Sequence, residues 1–317
     1  MPETVTPQTV RDAAARIVPL ARRTPVMTCR SISARAGFAT YFKCENLQRG
    51  GAFKIRGAAN LVLSVPPANL QHGVVAFSSG NHAQATAIAA RHVGASATIV
   101  MPEDAPRAKM QATRDAGARI VTYNRFTDDR EAIAAEVLKE TQGTLVPPFD
   151  HPLIIAGQGT AALELIEDSP EFEALVVCAG GGGLLAGSAT IAKSIRPGIR
   201  IFGVEPELAN DTYLSFSKGE RVTVPSPDTI ADGLRSPCPG KLTFPIIHRH
   251  VEQMLLVTEA EIRATMRFML ERMKILVEPS GAVAAAAVLF GKLPEDVKSA
   301  GVIISGGNVD LEFLATL

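Results

Sequence analysis

Short apolar runs alternate with helix-favouring stretches along most of the chain, and this alternation restricts the fold more than any other feature. The runs predict strands at 74–77, 98–101, 119–122, 175–178, 201–204, 254–257 and 302–304. The segments around them predict helices near 83–90, 108–116, 130–140, 160–167, 184–194, 261–272 and 282–289. Strands that alternate with helices form parallel sheets covered by helices on both faces. The sequence therefore predicts an α/β protein.

The Pro147-Pro148 pair separates two alternating blocks. A chain of 317 residues can form one large domain or two of medium size. We therefore expect two open parallel-sheet lobes, with helices on both faces and a cleft between them. A further helix is predicted to start at Thr6-Pro7, because a capping hydroxyl precedes a proline and Val10, Ala14 and Ile17 follow at helical spacing.

Charge and composition exclude several classes of function. The chain has 32 Lys and Arg and 32 Asp and Glu, so its formal net charge is zero, which argues against nucleic acid or an anionic membrane as a partner. The sequence shows neither a signal peptide nor a membrane-spanning run, and we expect a cytoplasmic protein. Cys29, Cys44, Cys178 and Cys238 are too far apart to suggest a zinc site or a disulfide framework.

Lys54 is the first candidate for chemistry. It follows the glycine-rich run Gly50-Gly51-Ala52-Phe53 and lies beside an aromatic ring. A buried lysine loses its proton more easily than one in water, and the free amine can condense with an aldehyde to form a Schiff base. This run alone does not distinguish such a lysine from one on a solvated helix face, where most lysines lie.

Two more glycine-rich turns follow predicted strands. Ser78-Ser79-Gly80-Asn81-His82 leads into a helix, and a turn of this kind directs N–H groups and hydroxyls at an anion such as a carboxylate. Gly180-Gly181-Gly182-Gly183 opens the next such helix, and four glycines let the backbone approach a phosphate closely. A phosphorylated aldehyde cofactor that acts on amino acids requires an amine, a carboxylate site and a phosphate site together.

The tetraglycine is also compatible with a different cofactor. Gly181, Gly183 and Ala186 fit a dinucleotide fingerprint, and Glu205 closes the next strand about 20 residues further on. Spacing alone therefore leaves an NAD-dependent enzyme open, as well as a purely structural turn. The dinucleotide alternative assigns no role to Lys54 or to the turn at 78–82.

Considered together, the motifs resemble those of the pyridoxal-phosphate-dependent threonine and serine dehydratase and serine racemase family, of the tryptophan-synthase-β fold type. The resemblance runs from Arg23-Thr24-Pro25 to Ser305-Gly306-Gly307-Asn308-Val309-Asp310, nearly the whole chain. Between these ends, and in the family's order, lie Lys43-Cys44-Glu45-Asn46, Phe53-Lys54-Ile55-Arg56-Gly57-Ala58, Ser78-Ser79-Gly80-Asn81-His82, Ile155-Ala156-Gly157-Gln158-Gly159-Thr160, the tetraglycine and Glu278-Pro279-Ser280.

The resemblance implies fold type II of the pyridoxal-phosphate enzymes, with the cofactor in the cleft between the lobes. In this family the amino-terminal segment returns to the larger lobe. Residues 1–65 and 150–317 are therefore expected to form the large cofactor-binding domain, and residues 66–149 the small substrate-gating domain. The resemblance also implies a homodimer.

Roles for individual residues follow from the resemblance. Lys54 would carry pyridoxal phosphate and act as the catalytic base, and Ser79 would be a second catalytic group on the opposite face. Cofactor contacts are implied for Phe53, Lys54, Asn81, Gly180, Gly181, Gly182, Gly183, Leu184, Gly233 and Ser305. Substrate contacts are implied for Ser78, Ser79, Asn81 and His82. The sequence leaves open that Asn81 and His82 only cap a helix and that Ser305 is an ordinary turn residue.

A metal site is implied at Glu205, Ala209 and Asp211. Two carboxylates and a carbonyl in one loop suit a hard cation, Mg²⁺ or Ca²⁺, although the spacing itself is unspecific. In the family such an ion braces the loop beside the phosphate-binding turn and takes no part in the chemistry.

The leading hypothesis for the activity is β-elimination from L-threonine or L-serine, which yields a 2-keto acid and ammonia. Phe149, in Pro147-Pro148-Phe149-Asp150-His151-Pro152, resembles the residue found in threonine dehydratases. A serine racemase or a 3-hydroxyaspartate dehydratase is the alternative within the family, and an NAD-dependent enzyme is the alternative outside it. In each family alternative the partner is a small hydroxy amino acid.

Overall fold

The computed structural model describes residues 5–78, 80–105, 107–124, 126–225 and 227–317. In these residues the strands are β1 (Val26–Met27), β2 (Ala39–Cys44), β3 (Val74–Phe77), β4 (Ala97–Pro102), β5 (Arg119–Tyr123), β6 (Thr144–Leu145), β7 (Ala174–Cys178), β8 (Arg200–Pro206), β9 (Gln253–Val257) and β10 (Ser299–Ile304). The helices are α1 (Pro7–Arg16), α2 (Arg30–Ala36), α3 (Lys54–Val62), α4 (Pro67–Leu70), α5 (Asn81–His92), α6 (Arg107–Asp115), α7 (Arg130–Thr141), α8 (Pro152–Asp168), α9 (Gly183–Ile195), α10 (Asp211–Lys218), α11 (Thr243–His250), α12 (Glu259–Arg272), α13 (Pro279–Leu289) and α14 (Leu311–Leu314).

The larger sheet has six strands in the order β1-β2-β10-β7-β8-β9. Its pairings are parallel except that between β1 and β2. Every residue of β7 is buried, as expected for a parallel strand with helices on both faces. α13 is buried along its whole length, which explains why its sequence is apolar all round instead of amphipathic.

The smaller sheet has four parallel strands in the order β5-β4-β3-β6. All six residues of β4 are buried, and β3 is buried over its first three residues. The strands of this sheet lie between residues 74 and 145, and those of the larger sheet lie outside that range. The domain boundaries at residues 66 and 149 themselves stay a prediction.

Two glycines let α8 and α9 approach each other closely. A Cβ on Gly159 or on Gly187 would collide with backbone atoms of the facing helix. Small residues at a helix crossing allow the two backbones to approach, and the shape of the contact then fixes how the helices lie. Because α9 starts at the tetraglycine, this contact holds that turn in position beneath the cleft.

The sequence-based strand predictions are confirmed: each predicted strand lies within β3, β4, β5, β7, β8, β9 or β10. The predicted amino-terminal helix start is also confirmed, since Thr6 caps α1 in a capping box with Thr9. The strands β1, β2 and β6 were not predicted. No helix in the described part of the chain is both long enough and apolar enough to cross a bilayer.

Candidate active site

Residues from both lobes line a cavity of about 770 Å³. The segments after β7 and β10 contribute one wall, and the segment after β3 contributes another. Ligands of open α/β sheets bind outside the carboxyl ends of the strands, as here. The lining includes the predicted residues Phe53, Lys54, Ser78, Asn81, His82, Gly180, Gly181, Gly182, Gly183, Leu184, Gly233 and Ser305.

Lys54 reaches this cavity because the chain before it is bonded to the end of β10. Gly50 and Gly51 both have positive φ, 71° and 70°, and fold the chain back so that Ala52 pairs with Gly306. The Phe53 N–H donates to the Ser305 carbonyl at 3.0 Å. Lys54 follows as the first residue of α3. The amine and the end of β10 are thus held together through backbone contacts.

The surroundings of the Lys54 amine favour its neutral form. Nζ donates to the Pro148 carbonyl at 2.8 Å and lies 5.2 Å from the centre of the Phe53 ring. Burial lowers the pKa of Lys54 to about 8 from an ordinary value of 10.5, and the electrostatic effects of Cys178 and Glu278 offset this only in part. Near pH 8 about half of the amine is therefore unprotonated and able to act as a nucleophile or base.

The tetraglycine forms the turn between β7 and α9. Gly182 has a φ of +89°, in the left-handed region where glycine is favoured, and it precedes the 13-residue helix α9. A Cβ on Gly181 would overlap the Phe149 ring, and one on Gly183 would overlap Gln158 Oε1. The turn therefore requires glycine for its packing as well as its conformation. It presents the amino-terminal N–H groups of a helix, a site that favours anions.

Ser305 and Gly233 both form hydrogen bonds with Ser280. The Ser305 hydroxyl donates to the Ser280 carbonyl at 3.3 Å, and the Gly233 N–H donates to Ser280 Oγ at 3.0 Å. Ser305 is buried at the carboxyl end of β10 and lines the cavity. An ordinary turn serine would face solvent, so this buried position supports a role in the site.

Asn81 and Ser78 occupy the turn between β3 and α5. Asn81 Nδ2 donates to Glu278 Oε1 at 2.5 Å, and its Oδ1 accepts from Asn308 Nδ2 at 2.9 Å. The Ser78 hydroxyl accepts from the Gly80 N–H at 3.2 Å. The Asn81 side chain thus bonds across the cleft and does not cap α5, and the capping alternative for this residue is wrong.

His82 is buried, and its Nε2 lies 2.8 Å from the Val146 carbonyl, to which it donates. Burial, and then the Lys54 charge, lowers the pKa of His82 to about 3, so the ring is neutral. Nδ1 is left as a buried acceptor without a hydrogen-bond partner in the described structure. An acceptor atom does not bind a carboxylate. Any contribution of His82 to substrate binding must therefore come from its backbone N–H, which lies in the first turn of α5.

Sequence reasoning missed an ion cluster that joins the lobes. Lys109 Nζ, on α6, lies 2.5 Å from Asp232 Oδ2 and 3.3 Å from Glu278 Oε2. Its burial opposes the charged form, but the two carboxylates outweigh that effect and raise the pKa of Lys109. Lys109, Asp232 and Glu278 all line the cavity. Glu278 belongs to a family motif, but the sequence holds no signal that pairs it with Lys109.

Glu205 and Asp211 form a pair of buried acids behind the tetraglycine. Glu205 accepts from the N–H groups of Thr212 and Tyr213, at 3.3 and 2.7 Å, whereas neither carboxylate oxygen of Asp211 has a hydrogen-bond partner among the described atoms. Burial raises the pKa of Asp211 to about 8, and burial together with Asp211 raises that of Glu205. The Thr212 hydroxyl donates to the Gly180 carbonyl at 3.2 Å and links the pair to the glycine turn.

Ser79 lies outside the described residues, and its catalytic role stays a prediction. Ala209 is buried, and its N–H donates to the Pro206 carbonyl at 3.0 Å, which places it in the turn between Glu205 and Asp211. Clusters of three or more His, Cys, Asp or Glu suited to a metal ion are absent from the described residues. A cation at the acid pair would therefore need carbonyl or water ligands as well.

Known proteins match this chain over almost its entire length. The family model described as "Pyridoxal-phosphate dependent enzyme" matches residues 17–306. The chain is 49% identical over 308 residues to the L-threo-3-hydroxyaspartate ammonia-lyase of Saccharomyces cerevisiae, with 97% of this chain and 94% of that protein covered. It is 46% identical over 303 residues to the serine racemase of Schizosaccharomyces pombe, with 96% and 94% covered. The chain belongs to the pyridoxal-phosphate-dependent enzyme family.

A solved structure extends the same comparison to the fold. The structure of maize serine racemase superimposes with a TM-score of 0.95 at 41% sequence identity, covering 99% of this chain and 97% of that one. The predicted family and the predicted fold type II are thereby confirmed. The dinucleotide alternative is wrong: Glu205, which it needs as a ribose ligand, is buried and bonded to backbone N–H groups.

The cavity has the features that this family's cofactor requires. Pyridoxal phosphate needs an amine for its aldehyde, N–H groups for its phosphate and a polar partner for its ring nitrogen. Lys54, the tetraglycine turn and Ser305 all line the one cavity and can supply these groups. The residues present therefore fit the cofactor.

Proposed function

We propose that this protein catalyses β-elimination from a small β-hydroxy amino acid and releases a 2-keto acid and ammonia. The observation that carries the proposal is the Lys54 amine, with its pKa lowered to about 8, in the same cavity as the tetraglycine turn. When bound, pyridoxal phosphate would supply an electron sink that stabilises negative charge at the α-carbon.

The cofactor would be held mainly by residues of the larger lobe. The N–H groups at Gly180, Gly181, Gly182, Gly183 and Leu184 would bind the phosphate. The Ser305 hydroxyl would meet the ring nitrogen; being neutral, it leaves that nitrogen largely unprotonated, which favours elimination over transamination. Asn81 would lie beside the phenolic oxygen, and Phe53 and Gly233 would complete the enclosure.

Lys54 would move the α-proton. As a neutral amine it is a competent general base near pH 8, and the ammonium ion that it becomes can return a proton. Ser78 and the first N–H groups of α5 would bind the substrate carboxylate, since the amino terminus of a helix favours anions. Loss of the α-proton and of the β-hydroxyl, as water, would leave an enamine that hydrolyses to keto acid and ammonia. Ser79 would stand on the opposite face, where reprotonation of the α-carbon would racemise the substrate.

The choice among hydroxy amino acids is the finer part of the proposal. L-threonine or L-serine is the leading prediction from the sequence, but the similar relatives carry the names of a hydroxyaspartate ammonia-lyase and a serine racemase. Those names favour hydroxyaspartate and serine as test substrates beside threonine. A serine racemase activity is therefore the second candidate function.

The test of this proposal is to incubate the purified holoenzyme with L-threonine, L-serine, D-serine and L-threo-3-hydroxyaspartate. Keto acid, ammonia and the chirality of the remaining serine are measured in each reaction. We expect keto acid and ammonia in equal amounts from at least one of these substrates. Inverted serine without keto acid would support the racemase instead, and no product from any substrate would refute both.

We also propose that Glu205, Asp211 and the Ala209 carbonyl bind Mg²⁺ or Ca²⁺. The support is the Asp211 carboxyl group, which has no hydrogen-bond partner among the described atoms and lies beside a second buried acid, because a bound cation would stabilise the two ionised carboxylates that burial disfavours. Added Ca²⁺ or Mg²⁺ should raise the melting temperature of the wild type by several degrees and that of Asp211→Asn by less than about one degree. Equal shifts in both proteins would contradict the site.

A homodimer in the cytoplasm completes the proposal by analogy with the family. Analytical ultracentrifugation of the holoenzyme would test the homodimer. We expect a single species at twice the chain mass of 33.5 kDa. A monomer at micromolar concentration would contradict it.

A further inference from the structure

One cation in the cavity wall has no role in the chemistry described so far. Arg235 lines the cavity just after the 3-10 turn Asp232–Leu234. Its Nε and Nη2 donate to the Thr229 carbonyl at 2.8 and 2.7 Å. Among the described residues no carboxylate lies within ion-pairing distance of it, whereas Lys109 in the same wall is bridged to two. The Arg235 guanidinium is thus held in place by a neutral carbonyl, and its positive charge is not neutralised.

The residue that holds Arg235 is itself fixed. The Thr229 hydroxyl donates to Glu259 Oε1 at 2.6 Å, and the Ile230 N–H donates to Glu259 Oε2 at 2.9 Å. Both oxygens of Glu259 are therefore engaged by the segment that carries Arg235. Glu259 orders this segment and does not neutralise the guanidinium, so the arrangement positions a positive charge at the cavity in advance of any ligand.

We propose that Arg235 binds the carboxylate on the β-carbon of a hydroxy dicarboxylic amino acid and thereby selects this class over serine and threonine. The inference rests on the proposed β-elimination and specifies its substrate class. A guanidinium offers a planar fork of N–H donors that matches a carboxylate, and Nη1 and the second N–H of Nη2 are not used by Thr229. Serine and threonine bring only a hydrogen or a methyl group to the same carbon and would leave the charge unpaired.

Two lysines, Lys54 and Lys109, also line the cavity, but Arg235 is the better candidate for binding the second substrate carboxylate. Lys54 would be occupied by the cofactor under the proposed function, and Lys109 is already paired with Asp232 and Glu278. Neither offers a free positive charge to a second substrate carboxylate. A site built around such a charge discriminates strongly against an analogue that lacks the matching group, because the charged group is then left without its partner.

The kinetic test compares Arg235→Gln with Arg221→Gln in the holoenzyme. Arg221 is a matched control, because its Nε also donates to a backbone carbonyl, that of Pro239 at 2.8 Å, but it is exposed and does not line the cavity. The readout is the ratio of kcat/KM for L-threo-3-hydroxyaspartate to kcat/KM for L-serine. We expect R235Q to lower this ratio at least ~100-fold and R221Q to leave it near the wild-type value. A ratio that falls no further in R235Q than in R221Q overturns the proposal.

A binding measurement tests the same residue without catalysis. Succinate has two carboxylates, and butyrate has one on a chain of equal length. By calorimetry we expect the wild-type holoenzyme and R221Q to bind succinate at least ~10-fold more tightly than butyrate, and R235Q to lose this preference. Equal preference in all three proteins overturns the role of Arg235. If the wild type turns over no hydroxy amino acid, the proposed function fails, while the succinate comparison still decides whether Arg235 binds a second carboxylate.

Discussion

At the residue scale, the proton affinity of the Lys54 amine decides what the site can do. A lysine in water is almost fully protonated at neutral pH and is a poor nucleophile. The cavity wall removes water from Lys54 and provides a backbone carbonyl, Pro148 O, and no carboxylate of the described residues forms an ion pair with Nζ. Because a carbonyl does not compensate the charge as a carboxylate would, the neutral amine is favoured. The same burial that makes the residue costly to accommodate therefore makes it reactive.

The lowered pKa of Lys54 predicts how the apoenzyme captures its cofactor as pH changes. We expect the rate of covalent capture of added pyridoxal phosphate to rise with pH and level off above a midpoint near 8. Stopped-flow absorbance of the cofactor would measure this rate. A midpoint near 10, the value for lysine in water, would contradict the prediction.

The lowered pKa of Lys54 also makes the stability of the apoenzyme depend on pH. Because the folded pKa is lowered, the unfolded chain binds more protons at Lys54 between about pH 8 and its ordinary pKa of 10.5. The free energy of unfolding of the apoenzyme should therefore rise with pH in that window, relative to Lys54→Met. Parallel pH profiles for the two proteins in chemical denaturation would argue against a buried Lys54.

At the scale of elements, a buried ion network fixes the direction of α3. Arg56, on that helix, is fully buried and donates to Glu45 Oε2 through Nε at 2.7 Å and to Glu164 Oε2 through Nη2 at 2.8 Å. Burial alone would raise the pKa of Glu45, but the charge and hydrogen bonds of Arg56 outweigh it and lower that pKa. Since Lys54 is two residues before Arg56, the network also determines where the amine points.

Removal of Arg56 should therefore be costly. We expect Arg56→Met to lower the free energy of unfolding at neutral pH by about 3–5 kcal/mol, because it leaves the fully buried Glu45 carboxylate without its ion pair. The deficit should shrink as pH falls, since the lowered pKa of Glu45 stabilises the wild type above the unfolded pKa and that contribution is lost on protonation. Urea denaturation at several pH values measures both effects. Arg267→Met is the control: its pair with Glu271 is 3.9 Å long and exposed, so a loss below about 1 kcal/mol is expected.

The elements that could be predicted from the sequence are those with local signals. β7 and the tetraglycine were predictable because an apolar run followed by glycines determines a strand and a turn without reference to the rest of the chain. β2 was missed because its buried residues include Lys43, whose charge is accommodated by distant partners: Nζ lies 2.6 Å from both the Thr24 carbonyl and Glu164. Lys109 and Arg235 were missed for a related reason: their partners and their positions in the cavity depend on contacts between distant segments. The acid pair was found through family resemblance, since its spacing alone is unspecific.

At the scale of the whole molecule, the cavity lies where the two lobes meet, and a few polar contacts join them. Lys109 from the smaller lobe is bonded to Asp232 and Glu278, and Asn81 also bonds to Glu278. Burial raises the pKa of Glu278, although Lys109 opposes this effect. The relative position of the lobes thus depends on charges within the site itself.

We expect Lys109→Met to lower the free energy of unfolding by about 2–4 kcal/mol, because two largely buried carboxylates lose their cation. Lys292→Met provides the comparison, since Lys292 pairs with Glu261 within the larger lobe and is partly exposed, so about 1 kcal/mol or less is expected there. Denaturant unfolding of the two variants measures the difference. Equal losses would show that the contact between the lobes contributes no more than a surface pair.

Every step of the proposed reaction depends on the Lys54 amine carrying the cofactor. Treatment of the holoenzyme with borohydride fixes pyridoxal phosphate to the lysine that holds it, and proteolysis with mass spectrometry then locates the modified residue. We expect one modified peptide, with the added mass on Lys54, and none in Lys54→Ala. A modified peptide at another lysine, or unmodified Lys54 in a holoenzyme that contains the cofactor, would contradict this assignment.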